Sequence, residues 1–221
     1  MPTSLSFQDE AYIAIKQMVL NFTLKPGEKI DKTRLQELLG ISNTPVREAI
    51  IRLQREGLFK VVPQSGTYVA KINLQKVYQA KFVRESVESL IMEKAFQAAT
   101  AKDIRELKKM IQLQAIYLGS NDYEPFFQLD EQFHQYFYKI TNNDYVWDWL
   151  QIINVHLNRL RYLRLRMMDT SWKEIIDQHR EVVQLLENRT DQKMTTAMTN
   201  NSHILDTDIF KLVKEIPDYF D

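Results

Sequence analysis

The sequence predicts a mainly α chain: a small amino-terminal domain of three helices and a β-hairpin, followed by an all-α bundle of six helices. Three observations lead there. Eight of the eleven glycines and prolines, from Pro2 to Gly66, fall in the first 66 residues, and only Gly119, Pro125 and Pro217 follow. Such residues punctuate short elements, and their scarcity afterwards permits long helices. Apolar residues recur at helical spacing in both parts. Residues 1–75 hold ten Lys/Arg against seven Asp/Glu, or +3; since the 221-residue chain is neutral overall, the remainder is −3. The join therefore falls near residues 72–76, giving domains 1–72 and 73–221, and the first has the sign that suits an anionic partner.

Asp9 to Phe22 sets Ala11, Ile15, Met18, Val19 and Phe22 on one helical face, and Lys25-Pro26-Gly27 stops the helix. A short second helix, residues 32–39, ends at Gly40, a natural left-handed terminator. Ser42-Asn43-Thr44-Pro45 reads as a helix start, with Asn43 or Thr44 as the cap and Pro45 inside the first turn. The helix it opens, from Val46 to Glu56, closes at Gly57. Strands at 58–62 and 67–70 flank a Pro63-Gln64-Ser65-Gly66 tip. Three helices and this hairpin are the parts of a winged helix-turn-helix. The second domain reads as helices at 74–98, 100–118, 122–141, 144–168, 171–188 and 190–214. Thr100-Ala101-Lys102-Asp103 and Thr190-Asp191 are helix starts, and loops fall at residues 119–122 and 141–144.

Composition narrows the function classes. With 44% hydrophobic and 26% charged residues the chain is an ordinary folded protein. Its lack of cysteine removes disulfides, thiolate metal sites and thiol nucleophiles, and suits a reducing cytoplasm. The first residues, MPTSLSFQDEAY, lack the basic and apolar regions of a signal peptide. No apolar run reaches the ~18 residues of a membrane span, so no membrane partner is expected.

At Leu39-Gly40-Ile41-Ser42-Asn43-Thr44-Pro45-Val46-Arg47-Glu48-Ala49-Ile50, then Arg52-Leu53 and Glu56-Gly57, the sequence resembles the GntR family of bacterial transcription regulators. Pro26-Gly27-Glu28-Lys29-Ile30 before it, and Pro63, Gly66 and Val69 after it, fit the same pattern over about the first 72 residues. The helical part resembles the FCD-type ligand-binding domain of the FadR branch, through Arg84 with Glu88, Asp130-Glu131-Gln132-Phe133-His134, and His179. The resemblance implies double-stranded operator DNA and a small organic acid effector as partners, and a homodimer reading two half-sites of a palindrome.

A recognition helix from Thr44 would lie in a major groove, where Arg47 can offer its donor fork to a guanine or grip a phosphate. Thr44 and the free N–H groups of the helix start suit phosphate oxygens. Arg34 and Arg52 are further phosphate candidates, and Gln64, Ser65, Gly66 and Thr67 form a tip small enough for a minor groove. Family members commonly carry arginine where this chain has Asn43, and basic residues where it has Gln64 and Ser65. The expectation is weaker, less salt-dependent binding or an operator of different sequence.

In the helical domain, Asp130 and His134 share one helix face, and His179 on another helix could complete three ligands. The resemblance implies a fourth, a histidine about 22 residues after His179, where this chain has Asn201. His203 lies two residues later, roughly 200° around the helix, and would serve only if the register shifted. Three N/O ligands suit one divalent zinc, nickel or manganese; on spacing alone, a helix-surface pair and a core histidine suit them as well. Arg84 either clamps an effector carboxylate or forms a surface i,i+4 pair with Glu88. Arg159, Arg161, Arg164 and Arg166 cannot share one helical face, and His156 reads as packing. Two rivals remain: a metal-dependent enzyme using the Asp/His/His site, and a DNA-binding dimer with no effector.

Overall fold

The computed structural model describes residues 6–120, 122–167, 170–189 and 208–221. It is mostly helical, with one two-stranded antiparallel sheet among the described residues. Helix α1 (Phe7–Leu20) starts where the Ser6 hydroxyl accepts the Asp9 N–H at 3.2 Å, and packs chiefly on α3 (Asn43–Arg55). Helix α2 (Lys32–Leu39) is held at both ends by local chemistry. The Asp31 carboxylate accepts the N–H groups of Thr33 and Arg34 at 2.9 and 3.1 Å, and Gly40 takes φ 63°, where a side chain would be strained. The chain then turns into α3, which buries Val46, Ala49, Ile50 and Leu53 and leaves Asn43, Thr44 and Arg47 outside. Its cap position is Ser42; Asn43 and Thr44, expected to cap it, lie within the helix, because helical geometry begins one residue earlier.

Strands β1 (Phe59–Val62) and β2 (Gly66–Val69) pair in register from Phe59↔Val69 to Val62↔Gly66. The segment after Pro26 adds to this wing: Gly27 N–H donates to Val69 O at 2.9 Å, and Ile30 N–H to Thr67 O at 2.8 Å. A small core of Ile15, Val19, Leu35, Val46, Leu53 and Val69 binds these parts together.

Helix α4 (Leu74–Ala98) starts where the Asn73 side chain accepts the Lys76 N–H at 2.9 Å. Helices α5 (Ala101–Ser120), α6 (Tyr123–Ile140) and α9 (Thr170–Asn188) lie within two residues of their expected bounds. The expected single helix at 144–168 is instead two, α7 (Asp144–Ile153) and α8 (Val155–Met167). The break is Asn154, with φ −79° and ψ 2°, between the β-branched pair Ile152-Ile153 and Val155, where helix propensity is weakest. Of the last helix, expected at 190–214, residues 208–215 are helical and the remainder lies outside the described residues.

Phe22 and Val155 each pack in the hydrophobic cluster of the other half of the chain. Phe22 stands past the end of α1 at φ 62° and enters the larger cluster, stacked 5.8 Å from Tyr219 and tilted at 37° to Tyr162, 6.1 Å away. It was expected on the core face of the first helix; ending that helix at Leu20 frees it to turn away. Val155 from α8 packs in the smaller cluster.

Candidate functional site

Asp130 and His134, four residues apart on α6, and His179 on α9 are all buried, and each offers a ligand atom within 4.8 Å of the others. Gln114 of α5 orders the set, its Oε1 lying 2.9 Å from His179 Nδ1. With that proton on Nδ1, Nε2 presents a lone pair towards Asp130 Oδ1 at 3.5 Å. Two acceptors then face each other in the interior, and neither His179 Nε2 nor His134 Nδ1 has a hydrogen-bond partner among the described residues. Such a pair is poor for folding and good for a cation. Phe133 stacks on the His179 ring at 3.8 Å and fixes its plane. Burial holds the His179 imidazole down at about 4, with the Arg161 and Arg84 charges adding to the effect against Asp130 and Glu88. Burial and Arg84 hold His134 well below its ordinary value. Both rings are therefore neutral at pH 7, the form that ligates metals. The donor set fits a divalent ion of the zinc, nickel or manganese kind.

Beside this triad lies a charged cluster. Arg84 Nε donates to Glu88 Oε1 at 2.8 Å and its Nη1 to Glu131 Oε1 at 3.2 Å. The i,i+4 pair expected at Arg84 thus exists, but it is buried rather than on the surface. Arg161 bridges Asp130 and Glu131 through its two terminal nitrogens. Burial works against the charge on Arg84, but Glu88, Glu131 and Asp130 outweigh it and raise its pKa. Burial likewise opposes the Glu131 charge, yet Arg161 and Arg84 bring its carboxyl down to about 2. Three carboxylates (Glu88, Asp130 and Glu131) against two guanidinium groups (Arg84 and Arg161) leave one negative charge. Arg84 Nη2 and Tyr138 Oη have no partner among the described residues.

The sequence reading missed Arg161, Gln114 and the part played by Glu131. Arg161 belongs to an arginine series whose members diverge. Arg159 reaches Ala70, Arg164 pairs with Asp208 at 2.6 Å, and Arg166 lies over Tyr123. Glu131 adjoins Asp130 in the motif, which was the available signal. Asn201 and His203 lie outside the described residues.

On the amino-terminal unit Asn43, Thr44, Arg47 and Arg34 are exposed, as are Gln64 and Ser65 at the wing tip. Gln64 takes φ 61° and Gly66 φ 134° to make the turn, and Ser65 Oγ and Tyr68 Oη share a 2.6 Å hydrogen bond. Two of the expected DNA-contact residues also make contacts within the protein. Thr67 is buried against the 27–30 segment, with 9% of its surface left. Arg52 lies 3.6 Å above the Tyr12 ring and within 3.5 and 3.7 Å of Asp9 and Glu56, so it packs α3 on α1. Lys29 and Lys32, absent from the expected set, are exposed and line a recess beside Gly66.

A winged helix-turn-helix followed by a helical domain with a buried polar centre is the architecture of a two-domain transcription regulator. Residues 7–69 match the gntR family of bacterial regulatory proteins, and residues 79–203 match the FCD domain. An HTH-type transcriptional repressor of Escherichia coli K12, RspR, is 25% identical over 211 residues, covering 96% of this chain and 92% of that one. A regulator from an unstable DNA locus of Streptomyces ambofaciens is 31% identical, covering 96% and 88%. The solved structure of E. coli McbR/YncC shares the fold, with a TM-score of 0.80 at 19% identity over 96% of this chain and 99% of that one. The chain belongs to the GntR family of bacterial transcription regulators and carries an FCD domain; it is a regulator, not an enzyme. No described helix is long and apolar enough to cross a membrane.

Proposed function

We propose that this regulator is a cytoplasmic homodimer of the FadR branch. Its DNA-binding domain, 1–72, is controlled by a small carboxylate held at a metal centre in the 73–221 domain. The observation that carries this reading is the unbridged approach of His179 Nε2 to Asp130 Oδ1 at 3.5 Å in the interior. A divalent ion held by Asp130, His134 and His179 would supply a Lewis-acid position for an oxygen ligand, with Asn201 or His203 as the fourth protein ligand. It would also turn the cluster's single negative charge into a single positive one, which suits a monoanion. An entering carboxylate competes with Glu131 for the guanidinium forks of Arg84 and Arg161.

On DNA, Arg47, Thr44 and Asn43 would face the major groove, with Arg34 on the backbone and Gln64, Ser65 and Gly66 at the minor groove. Lys29 and Lys32, beside the wing, offer the charged phosphate contacts that the uncharged Gln64 and Ser65 cannot make.

The test uses operator fragments selected from random DNA. Affinity is measured with Ni²⁺-loaded and with EDTA-stripped protein, each against a panel of small carboxylic acids. The reading predicts that at least one acid changes operator affinity about five-fold or more, and only in loaded protein. Affinity indifferent to every acid and to the metal would leave the effector-free dimer in its place.

A further inference from the structure

Helix α8 carries two sets of polar side chains on different faces. Asn158 and Arg161, three residues apart, share the face that meets the centre: Arg161 bridges Asp130 and Glu131, and Asn158 Oδ1 accepts from Arg161 Nη1 at 3.0 Å. Val155, His156, Arg159 and Tyr162 follow another face, and Arg159 is roughly 200° around the helix from Arg161. That second face meets the DNA-binding unit and its connection. Val155 packs in the small core, and His156 Nδ1 accepts the Asn73 N–H at 3.2 Å. Arg159 Nη1 donates to Ala70 O at 2.8 Å, one residue beyond β2.

Arg159 is the unusual member. It is wholly buried at 0% exposure, and among the described residues no carboxylate forms an ion pair with it, the Asp221 charge acting only from farther off. Its Nε and Nη2 have no acceptor there either. Its guanidinium sits 5.6 Å from the Phe22 ring, where the end of α1 meets the larger cluster. Around it the carboxy-terminal tail pairs with the connection: Ile72 N–H donates to Tyr219 O at 2.8 Å, and Asp221 N–H to Ile72 O at 3.1 Å. With no ion-pair partner and only the distant Asp221 charge, the buried Arg159 is a poor stabiliser and a good register pin, because its one fixed hydrogen bond ties α8 to the exit of the wing.

We infer that Arg159 is the positioning residue through which α8 sets the winged unit according to the state of the Asp130/Glu131/Arg161 cluster. The inference rests on the reading above that this cluster takes a ligand and that the winged unit binds DNA. A ligand that draws Arg161 away from Glu131 moves the centre face of α8. As α8 is one rigid element, the Arg159–Ala70 bond carries that movement into β2 and the wing. The tilted contact of Tyr162 with Phe22 transmits nothing comparable by itself, since an apolar ring contact tolerates small sliding whereas a hydrogen bond to one carbonyl does not.

Amide exchange of the full-length protein tests this without knowledge of the effector. The readout is the segment 66–72, whose Val69, Ala70 and Ile72 N–H groups are all hydrogen-bonded. Two inputs perturb the centre: addition of Ni²⁺ alone, and Arg161→Met. Each is expected to change exchange in 66–72 about five-fold or more with Arg159 present. In Arg159→Met that response falls below two-fold, roughly, while Ni²⁺ uptake is unchanged. Arg159→Lys, which keeps a buried donor, restores part of it and covers the case in which the methionine variant does not fold. A general loss of stability would speed exchange with and without the input and leave their ratio intact, so the ratio isolates positioning from packing. Equal ratios in wild type, Arg159→Met and Arg159→Lys overturn the inference, as does a wild-type segment that responds to neither input. Failure of Ni²⁺ to bind would instead strike the metal reading, and the Arg161→Met input would then decide the positioning role alone.

Discussion

The two halves of the chain place their polar chemistry in opposite directions. Among the described residues, Thr67 is the one buried polar or charged side chain before Arg84, whereas Arg84, Gln114, Asp130, Arg159 and His179 are all buried beyond it. The winged unit keeps an apolar core and turns Arg34, Arg47, Lys29 and Lys32 outwards, as a surface that meets a polyanion must. The helical unit folds its charges inwards around a small centre, where low dielectric strengthens each interaction and punishes each missing partner. On the proposed reading, recognition of a long charged polymer and recognition of one small molecule call for opposite uses of the same side chains.

Substitutions should separate the halves accordingly. The largest effect is expected from Glu131→Ala, which leaves Arg84 and Arg161 without their shared carboxylate. Glu88 still partners Arg84 and Asp130 still partners Arg161, so the loss is that of charged hydrogen bonds, about 1.5–3 kcal/mol, read as a lower denaturation midpoint. A loss under about 1 kcal/mol would mean the cluster is already solvated. Arg47→Ala, on the exposed face of α3, is expected to leave melting unchanged and to weaken operator binding by about 1–3 kcal/mol; electrophoretic mobility shifts with the selected operator would show it. Next comes a pH effect. Burial first, then the Arg159 and Lys76 charges, hold His156 down at about 4, while Asp221 pulls the other way. An unfolded histidine titrates near 6.5, so between 6.5 and 4 the unfolded chain holds a proton that the folded one does not. Stability is therefore full above 6.5 and falls with pH below it, by up to about 1.4 kcal/mol per pH unit. The melting temperature of His156→Gln should be less sensitive to pH over this range, and an unchanged slope would remove His156 as a cause. The smallest effect belongs to Arg52→Ala, which removes the stack on Tyr12 and is expected to lower stability by about 0.5–1 kcal/mol. If it instead reduced operator affinity as much as Arg47→Ala, Arg52 would return to the DNA contacts.

Elements whose ends carry their own chemistry were legible from sequence. Asp31 and Gly40 bound α2 at the expected residues, and Asn73 caps α4 where it was expected to start. Asp130, His134 and His179 were legible as a set through spacing and resemblance, and they do meet. What escaped depends on tertiary placement. Nothing local distinguishes Arg161, which faces Asp130, from Arg159, which faces Ala70, until α8 is docked. Gln114 reads as one more polar residue on α5 and gains its meaning only from His179 on α9. The break at Asn154 is local, yet a lone asparagine in an apolar run leaves the helical period intact across it. Phe22 fits the period of α1 and still leaves it, because Leu20 ends the helix first.

The central claim, a metal-dependent effector centre, is tested most directly by elemental mass spectrometry on untagged protein purified without chelators, alongside Asp130→Ala and His179→Ala. The account predicts about one zinc, nickel or manganese per protomer in the wild type and its loss from both variants. Wild-type protein free of these metals and unable to take them up on dialysis would contradict it, as would metal retained in both variants.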